Sequence, residues 1–595
     1  MSTAADSNVI AELHADLLAR LATGGDLDLL RRLCHALGDA RVAGDVCVDL
    51  ALWCSTAPSG GEPPRPTLEA ARAALLATGV VATDDADAAS TPLVIDSWHR
   101  LYTLRHYRAE SRIAQFIQER LERPPLRTGA ELRATLEALT LTPDPATTDP
   151  DMQLAAVIAG ASRALTVLCG GPGTGKTTTV AKLMSALLHE QPDLRIAIAA
   201  PTGKAAARLG EALSAAAAER PELAGRLDDL EPQTLHRLLG YLPLDDTFRR
   251  GREYPLDYDL VVVDEVSMAD PAIFATLCDA VSSATRLVLV GDKDQLAAVA
   301  AGRVLSDLTH AARPHLGMGP ALASTVREAS GMTVPVQPDA APIADATVSL
   351  TKNHRFGQQP GIGAFALALV ERDHNRAAAA LRHGHDDLRL TCDGEAALDD
   401  FLPHCERLLR AASEGDAASA LAQIQHARIL TAQRFGPTGV SQWNRRVEAA
   451  LAARGHRMDD PYYVGRPVLV TANDQDNSIW NGDLGVCGRQ GEDPVIWIRD
   501  QQGLTREINP RRLPAHETAW AMTVHKAQGS EFDHVLLALP EQDGPLNNAS
   551  LIYTGVTRAR QRATICAEQG VVDAGLQSWP ERRSGLARRL SPRDG

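Results

Sequence analysis

Along residues 8–54, leucine, valine and alanine recur every three or four positions, as in AELHADLLARL and LDLLRRLCHAL, a spacing that predicts amphipathic helices. Ser55–Pro66 (STAPSGGEPPRP) breaks the pattern with proline and glycine and reads as a loop. TPLVIDSWHRLYTLRHYRAESRIAQFI then reads as a short strand or hairpin leading into a helix. From about residue 150 the pattern changes. ALTVLC (164–169), RIAIAA (195–200), LVVVD (260–264) and RLVLVGD (286–292) are near-continuous apolar runs separated by helical stretches. Such runs belong in a parallel sheet covered on both faces. ARILTA (427–432), HVLLAL (534–539) and RATICA (562–567) form a second set, so the expected fold is α/β with two lobes. Between the sets, Pro314–Ser349 is rich in proline, alanine and glycine and reads as an irregular excursion. Residues of about 462–515 carry several short strand patterns, expected to be a small β-barrel inserted in the second lobe. The expected division is 1–120 as a mostly helical, partner-docking domain, 121–345 as the first lobe and 346–595 as the second.

A chain of 595 residues exceeds one hydrophobic core, and 45% hydrophobic with 23% charged residues is ordinary for a globular protein. A net charge of −15 disfavours a protein that coats nucleic acid along its whole surface, but leaves room for a local basic groove. The nine cysteines stand singly, without a Cys-x-x-Cys pair or Cys/His cluster, which argues for reduced thiols and against zinc or an iron–sulfur cluster. MSTAADSNVI lacks a basic stretch followed by an apolar one, and no apolar run reaches the roughly 18 residues of a membrane span, so a cytoplasmic location is expected. Lysine is confined to 176, 182, 204, 293, 352 and 526, most of them inside the motifs below.

Gly170-Gly171-Pro172-Gly173-Thr174-Gly175-Lys176-Thr177, followed by Thr178, succeeds the ALTVLC run and meets the phosphate-loop pattern between strand and helix. Its glycines let backbone N–H groups curl around phosphates at a helix N-terminus. Lys176 is placed for the β- and γ-phosphates of ATP, and the Thr177 hydroxyl for Mg²⁺. The LVVVD run ends in Asp264-Glu265, where Asp264 would supply a second Mg²⁺ contact and Glu265 would polarise the attacking water. In Gly291-Asp292-Lys293-Asp294-Gln295, Gln295 is the expected γ-phosphate sensor, with a loop capped by Asp292 as the plainer alternative. Arg355 and Arg558 are candidates for stabilising transition-state charge. Both lie in the second half of the chain, so their reach to ATP would depend on lobe closure, whereas Arg560 and Arg562 read equally well as surface arginines on helices.

GGPGTGKT, APTGKAA (200–206), TLHRLLG (234–240), VVDEVSM (262–268), GDKDQL, NHRF, MTVHKAQGSEF (522–532) and YTGVTRAR together resemble superfamily 1 helicases over about residues 150–565. The form Thr523-Val-His525-Lys526-Ala-Gln528-Gly529 is similar to the branch that moves 5′ to 3′, and within it to the RecD family, the alpha subunits of exodeoxyribonuclease V. The resemblance implies two RecA-like P-loop lobes, an SH3-like β insertion, ATP and Mg²⁺ as cofactors, and action on single-stranded and duplex-end DNA. It also implies RecB-like and RecC-like partners in a heterotrimer that unwinds and degrades broken ends for recombinational repair. Gln153 matches the glutamine that reads adenine, while Thr202, His236, Thr523 and His525 match positions that face the strand. Residues 241–256 are either a small hairpin that contacts DNA or an exposed loop. Leu296-Ala297-Ala298-Val299 departs from the family, in which proline commonly follows the Gln-Leu pair. No clustered carboxylate/lysine nuclease motif is apparent, so nuclease activity would lie in a partner. Three other readings stay open: a free-standing helicase, a non-catalytic nucleotide-binding scaffold, and an ATPase acting on RNA.

Overall fold

In the computed structural model, residues 4–58, 63–84, 91–143, 149–217, 230–297, 301–355, 360–474, 477–500 and 503–591 are described. The apolar run at the phosphate loop forms the strand Leu165–Gly170, buried along its whole length. It lies in a six-stranded, all-parallel sheet ordered Thr347–Leu350, Leu165–Gly170, Arg286–Gly291, Leu260–Val263, Ile196–Ala200, Gln233–Thr234. Alternation across the pleat sends Leu168, Val262, Val288 and Val290 to one face and Val167, Val261, Val263, Leu287 and Leu289 to the other. Helices Met152–Ser162, Lys176–Glu190 and Pro320–Ser330 cover the first face. Helices Leu104–Leu121, Pro271–Ala280, Val304–Ala312 and Leu586–Leu590 cover the second. Burial on both faces is why these strands carry no polar alternation.

A second all-parallel sheet runs Leu388–Thr391, Ala559–Cys566, Phe532–Ala538, Ala427–Thr431, Ala521–Thr523. Two of its strands were not legible: Ala521–Thr523 is only three residues long, and Leu388–Thr391 is an edge with mixed exposure. Arg560 and Arg562 lie on the Ala559–Cys566 strand rather than on a helix. Residues 467–518 form a five-stranded antiparallel sheet ordered Thr505–Ile508, Asp493–Arg499, Leu484–Gln490, Pro467–Val470, His516–Thr518 around Val468, Val470, Cys487, Ile496 and Ile498.

The 314–349 stretch departs from its expected irregularity. Pro320 opens the Pro320–Ser330 helix at its first turn and Gly331 closes it in the left-handed region, so proline and glycine punctuate regular structure here. The edge strand Thr347–Leu350 pairs with Leu165–Gly170, which carries the first sheet past the expected boundary at 345. The C-terminal helix Leu586–Leu590 likewise packs on the first sheet's side, against Leu104–Leu121 and Val304–Ala312, because Leu586 and Leu590 join that core. At the N-terminus, helices Ala4–Leu21 and Leu27–Ala43 pack together beside a small mixed sheet, in which Arg100–Thr103 pairs antiparallel with both Cys47–Asp49 and Leu93–Ile95, and Val81–Thr83 runs parallel to Leu93–Ile95. The Leu50–Ser55 helix reaches the start of the expected 55–66 loop, and residues 59–62 of that loop lie outside the described residues.

Arg120 ties the Leu104–Leu121 helix to the first sheet. Its guanidinium is buried and donates to the carbonyls of Ala164 at 3.1 Å, Thr285 at 2.7 Å and Ser282 at 2.6 Å, all beside the start of the Leu165–Gly170 or Arg286–Gly291 strand. Arg120→Met keeps the apolar stem but leaves these acceptors without the cation. It is expected to destabilise the chain by about 3 kcal/mol, read as a lowered denaturant midpoint.

Candidate nucleotide site at the seam between two sheets

The phosphate loop follows the Leu165–Gly170 strand and opens the Lys176–Glu190 helix. Gly173 and Gly175 sit at φ of +78° and +83°, a region that a side chain strains. A Cβ would also stand 2.4 Å from Arg355 Cβ at Gly173, and 2.2 Å from Gln153 Nε2 at Gly175. Lys176 Nζ donates to the carbonyls of Gly170 at 2.7 Å and Gly171 at 3.0 Å, so the ammonium lies across the mouth of the loop. Thr177 is partly exposed on the first helical turn, with exposed Thr178 beside it. Gln153, on the first turn of the Met152–Ser162 helix, donates to Thr174 O at 3.1 Å and accepts from Lys182 Nζ at 2.9 Å.

Two further contacts grip the loop from the segment after the edge strand, and a third braces that segment. Asn353 Nδ2 donates to Pro172 O at 2.6 Å, His354 N–H to Gly173 O at 2.9 Å, and Arg355 N–H to Asn353 Oδ1 at 2.9 Å. Arg355 is thus carried by the connection leaving the first sheet, beside the loop itself, and its position does not wait on closure of the second lobe as expected. Phe356, the last residue of that motif, lies outside the described residues.

Asp264 ends the central strand, and its Oδ1 accepts from Glu265 N–H at 2.8 Å. Burial first, then the neighbouring Glu265 charge, pushes the Asp264 carboxyl up to about 6, against the pull of Lys176. Glu265 holds φ of +51°, a left-handed conformation that costs a non-glycine residue roughly 1 kcal/mol and that clusters at functional sites. Two adjacent carboxylates facing a threonine-bearing loop form an oxygen-rich set that suits a hard divalent cation held jointly with phosphate oxygens. Among the described residues no cluster of three or more His, Cys, Asp or Glu could hold a metal by itself.

The 291–296 loop is bonded to both lobes. Asp292 accepts from Asp294 N–H at 3.0 Å and Gln295 Nε2 at 3.2 Å, and its Oδ2 also accepts from Tyr553 OH at 2.9 Å. The buried helix Ala549–Val556 supplies that tyrosine, together with Thr554 Oγ1, which accepts from Leu296 N–H at 2.8 Å, and Ser550 Oγ, which donates to Asp294 O at 3.1 Å. Gln528 Nε2 donates to Leu296 O at 2.6 Å. Asp292 therefore caps the loop, and the buried Gln295 is held by it, with Gln295 Oε1 lacking a partner among the described residues. Ala297, where proline commonly stands in the family, is half-buried after Leu296, and Ala298 and Val299 lie outside the described residues.

Glu531 is the hub of the seam. Arg208, on the first lobe's Gly203–Ala217 helix, pairs with its Oε1, and Arg355 Nη2 reaches the same oxygen at 2.5 Å. Burial alone would raise the Glu531 carboxyl, but the two guanidinium groups overcome it and hold the carboxyl at about 2. Arg558 is 2% exposed, donates to Ser530 O at 3.4 Å and has a buried Nε without a partner among the described residues. Burial lowers its pKa while the charge of Glu265, across the seam, raises it. Arg560, by contrast, is half-exposed and paired with Asp533 at 2.9 Å. Sequence reading missed Arg208, Glu531, Asn353 and Tyr553 as site residues. Asn353, Glu531 and Tyr553 lay inside quoted motifs, but spacing carries no sign of which partner they meet.

Of the four strand-facing candidates, Thr202 precedes the Gly203–Ala217 helix, His236 lies in the first turn of the Leu235–Leu239 helix, Thr523 ends the Ala521–Thr523 strand and His525 opens the turn after it. Thr202 Oγ1 accepts from Ala205 N–H at 3.3 Å, and Thr523 Oγ1 from Lys526 N–H at 3.3 Å. His236 is exposed, with Tyr241 edge-on at 5.4 Å and Phe248 at 6.0 Å. Those two rings belong to an antiparallel hairpin, Tyr241–Leu242 with Thr247–Phe248, so the 241–256 stretch begins as a hairpin. His525 is partly buried, and burial followed by the charge of Arg582 brings its pKa down to about 4. Lys204 Nζ is buried without a partner among the described residues, and burial, then Arg428, lowers it to about 7.

Because the folded Glu531 carboxyl lies below its ordinary 4.5, its stabilisation is full above about pH 4.5 and is lost as pH falls toward 2. Wild type is expected to exceed Glu531→Gln in stability at pH 7, with the gap closing below pH 4.5. Denaturation of both chains across that range checks it.

Residues 153–301 match the AAA domain family, and residues 518–566 match the UvrD-like helicase C-terminal domain family. The chain is 41% identical over 453 residues to RecBCD enzyme subunit RecD of Mycolicibacterium smegmatis, covering 74% of this chain and 75% of that protein. It is 32% identical over 488 residues to the ATP-dependent RecD2 DNA helicase of Deinococcus radiodurans, covering 81% of this chain and 57% of that one. A solved structure of Pif1 helicases on forked duplex DNA aligns with 17% identity and a TM-score of 0.37, over 72% of this chain and 94% of that one. On the strength of the first of these relationships, the chain belongs to the RecD family.

Proposed function

We propose that the chain is an ATP-dependent 5′-to-3′ DNA helicase, the RecD-like subunit of a cytoplasmic, heterotrimeric exodeoxyribonuclease V with RecB-like and RecC-like partners. The observation that carries this reading is the seam. A phosphate loop from one sheet is faced by buried charge and hydrogen bonds from the other, as a motor coupling hydrolysis to lobe movement requires. A scaffold that only binds nucleotide has no use for Glu265 strained beside Asp264, or for a buried Arg558.

In this mechanism the ATP phosphates lie along the N–H groups of residues 173–177, and Lys176 exchanges its carbonyl partners for β- and γ-phosphate oxygens. Gln153 reads the adenine. Thr177 and Asp264 would hold Mg²⁺, which when bound neutralises phosphate charge. Glu265 orients and polarises the attacking water, Gln295 senses the γ-phosphate through Asp292, and Arg355 and Arg558 stabilise charge on the transferring group. Hydrolysis then alters the 291–296 loop, whose bonds to the Ala549–Val556 helix pass the change to the second lobe. Thr202 and His236 on one lobe and Thr523 and His525 on the other grip the strand through its backbone, without reading sequence. The hairpin rings beside His236 offer stacking worth roughly 1–3 kcal/mol per base.

We assign the antiparallel sheet within 467–518 to the SH3-like insertion of the second lobe, and residues 1–120 to a partner-docking domain. Supporting the docking role, Ile10, Leu13, Leu17 and Leu21 form a stripe more than half exposed along the Ala4–Leu21 helix, while Ala11, Ala15 and Leu18 face the interior.

Lys176→Gln is expected to abolish ATP turnover while the chain stays folded; retained turnover in the purified variant sinks the site assignment. With ATP, the assembled complex is expected to use this subunit on 5′-tailed and not 3′-tailed duplexes, and Lys176→Gln should remove that component alone. Leu13→Asp with Leu17→Asp is expected to leave the melting temperature of the free chain unchanged and to abolish co-purification with the partner subunits.

A further inference from the structure

A cleft of about 380 Å³ opens where the N-terminal sheet, the Val304–Ala312 helix and the C-terminal segment 582–591 meet. Arg100, Arg303, Arg313, Arg582, Arg583 and Arg588 line it, in a chain of net charge −15. Two carboxylates share the lining and both are engaged. Asp49 accepts from Leu52 N–H at 3.0 Å as a helix cap, and Asp307 lies 3.4 Å from Arg303. Arg313 and Arg588 are exposed and enter no ion pair among the described residues; Arg588 lies 5.6 Å over the Trp98 ring.

The backbone that carries these arginines is fastened. Val46 N–H donates to Arg583 O at 3.0 Å, Arg583 N–H to Asp45 Oδ1 at 2.6 Å, and Ser584 Oγ to the buried Glu110 at 2.6 Å. Arg100 Nη1 donates to Ser584 O at 3.1 Å. Arg582 Nη1 donates to Gly302 O at 2.9 Å, on the stretch that follows the 291–296 loop. The six arginines outnumber Asp49, Asp307 and Asp45, which lies 3.8 Å from Arg583, so pinned backbone holds an excess of positive charge here, and arginine forks match phosphate oxygens. Burial and then the charge of Arg582 lower the His525 pKa, so the field of the cleft's arginines extends to that histidine.

We propose that this cleft binds phosphate groups of the single strand, extending its track from His525 onto the N-terminal domain and C-terminal segment. The proposal rests on the helicase reading, in which His525 faces the strand. The chemistry recognised is the phosphate oxygen, which a DNA backbone or a free oligophosphate could supply.

The test uses the full chain, with fluorescent oligo-dT of about eight nucleotides, within the roughly 4–16 that a single groove holds, and of about twenty, beyond it. Binding is titrated at several salt concentrations for wild type, Arg313→Ala/Arg588→Ala and Arg313→Lys/Arg588→Lys, with thermal melting as the folding control. Each lost phosphate contact lowers the salt slope of single-strand binding by about 0.7, so the alanine pair should lose about 1.4 in slope on the long strand. Its affinity there should fall on the order of tenfold at 0.1 M salt, the short strand should be unaffected, and the lysine pair should restore the slope. Equal slopes for wild type and the alanine pair on the long strand overturn the proposal. So does a melting shift by inorganic tripolyphosphate that the alanine pair abolishes while DNA slopes stay equal, since the ligand is then a free oligophosphate. If wild type binds neither strand, the helicase reading itself falls, an outcome distinct from equal slopes.

Discussion

A phosphate cradle made of backbone N–H groups can have no side chains on its inner surface, so its shape must be held from outside. Gly173 and Gly175 leave that surface bare, at dihedral angles with little intrinsic preference to hold them. The holding is done by Gln153 on the carbonyl of Thr174, by Asn353 and His354 on those of Pro172 and Gly173, and by Lys176 on those of Gly170 and Gly171. The grips come from three places: the preceding helix, the loop's own lysine and the segment leaving the edge strand. Only the lysine is free to trade its carbonyls for a ligand without loosening the frame.

The seam applies the same economy to charge. Glu531 is shared by arginines from the first lobe and from the inter-lobe connection, and Asp292 is shared by its own loop and Tyr553 of the second lobe. A buried charge that loses one partner is costly, so neither lobe can shift far without exchanging partners for others of the same sign. Phosphate oxygens are such partners for arginine and lysine. Lobe position and the charge state of the nucleotide are thereby linked through a small set of side chains, with no need for a long pathway.

Arg120 and the C-terminal segment give the N-terminal domain a fixed relation to the first sheet. Helix Leu104–Leu121 shares a core with Val304–Ala312 and Leu586–Leu590, so the last turns of the chain close over the domain that begins it. That closure brings the arginines of residues 582–588 to the helix carrying Arg303, nearly three hundred positions earlier in sequence. It also leaves the stripe of Ile10, Leu13, Leu17 and Leu21 facing outward on the far side of the first helix.

Much of the motor was legible from sequence alone. The strands of both sheets that are buried on two faces announced themselves as apolar runs, and the phosphate loop, Asp264-Glu265 and the TVHKAQG and TGVTRAR segments could be placed by order and spacing. These features are local: burial of a strand, the backbone freedom of glycine, and a carboxylate at a strand end are written in a few consecutive residues. Thr347–Leu350 and Ala521–Thr523 were not legible, because short strands take their identity from the neighbours they pair with. Nor could spacing show that Arg355 sits beside the loop while Arg558 faces it from the other sheet, that Glu531 joins Arg208 to Arg355, or that six distant arginines converge on one cleft. The sequence by itself determined which groups of the motor exist; only the tertiary structure decided which of them meet, because electrostatic and hydrogen-bonding partnerships depend on distance in space rather than on separation along the chain.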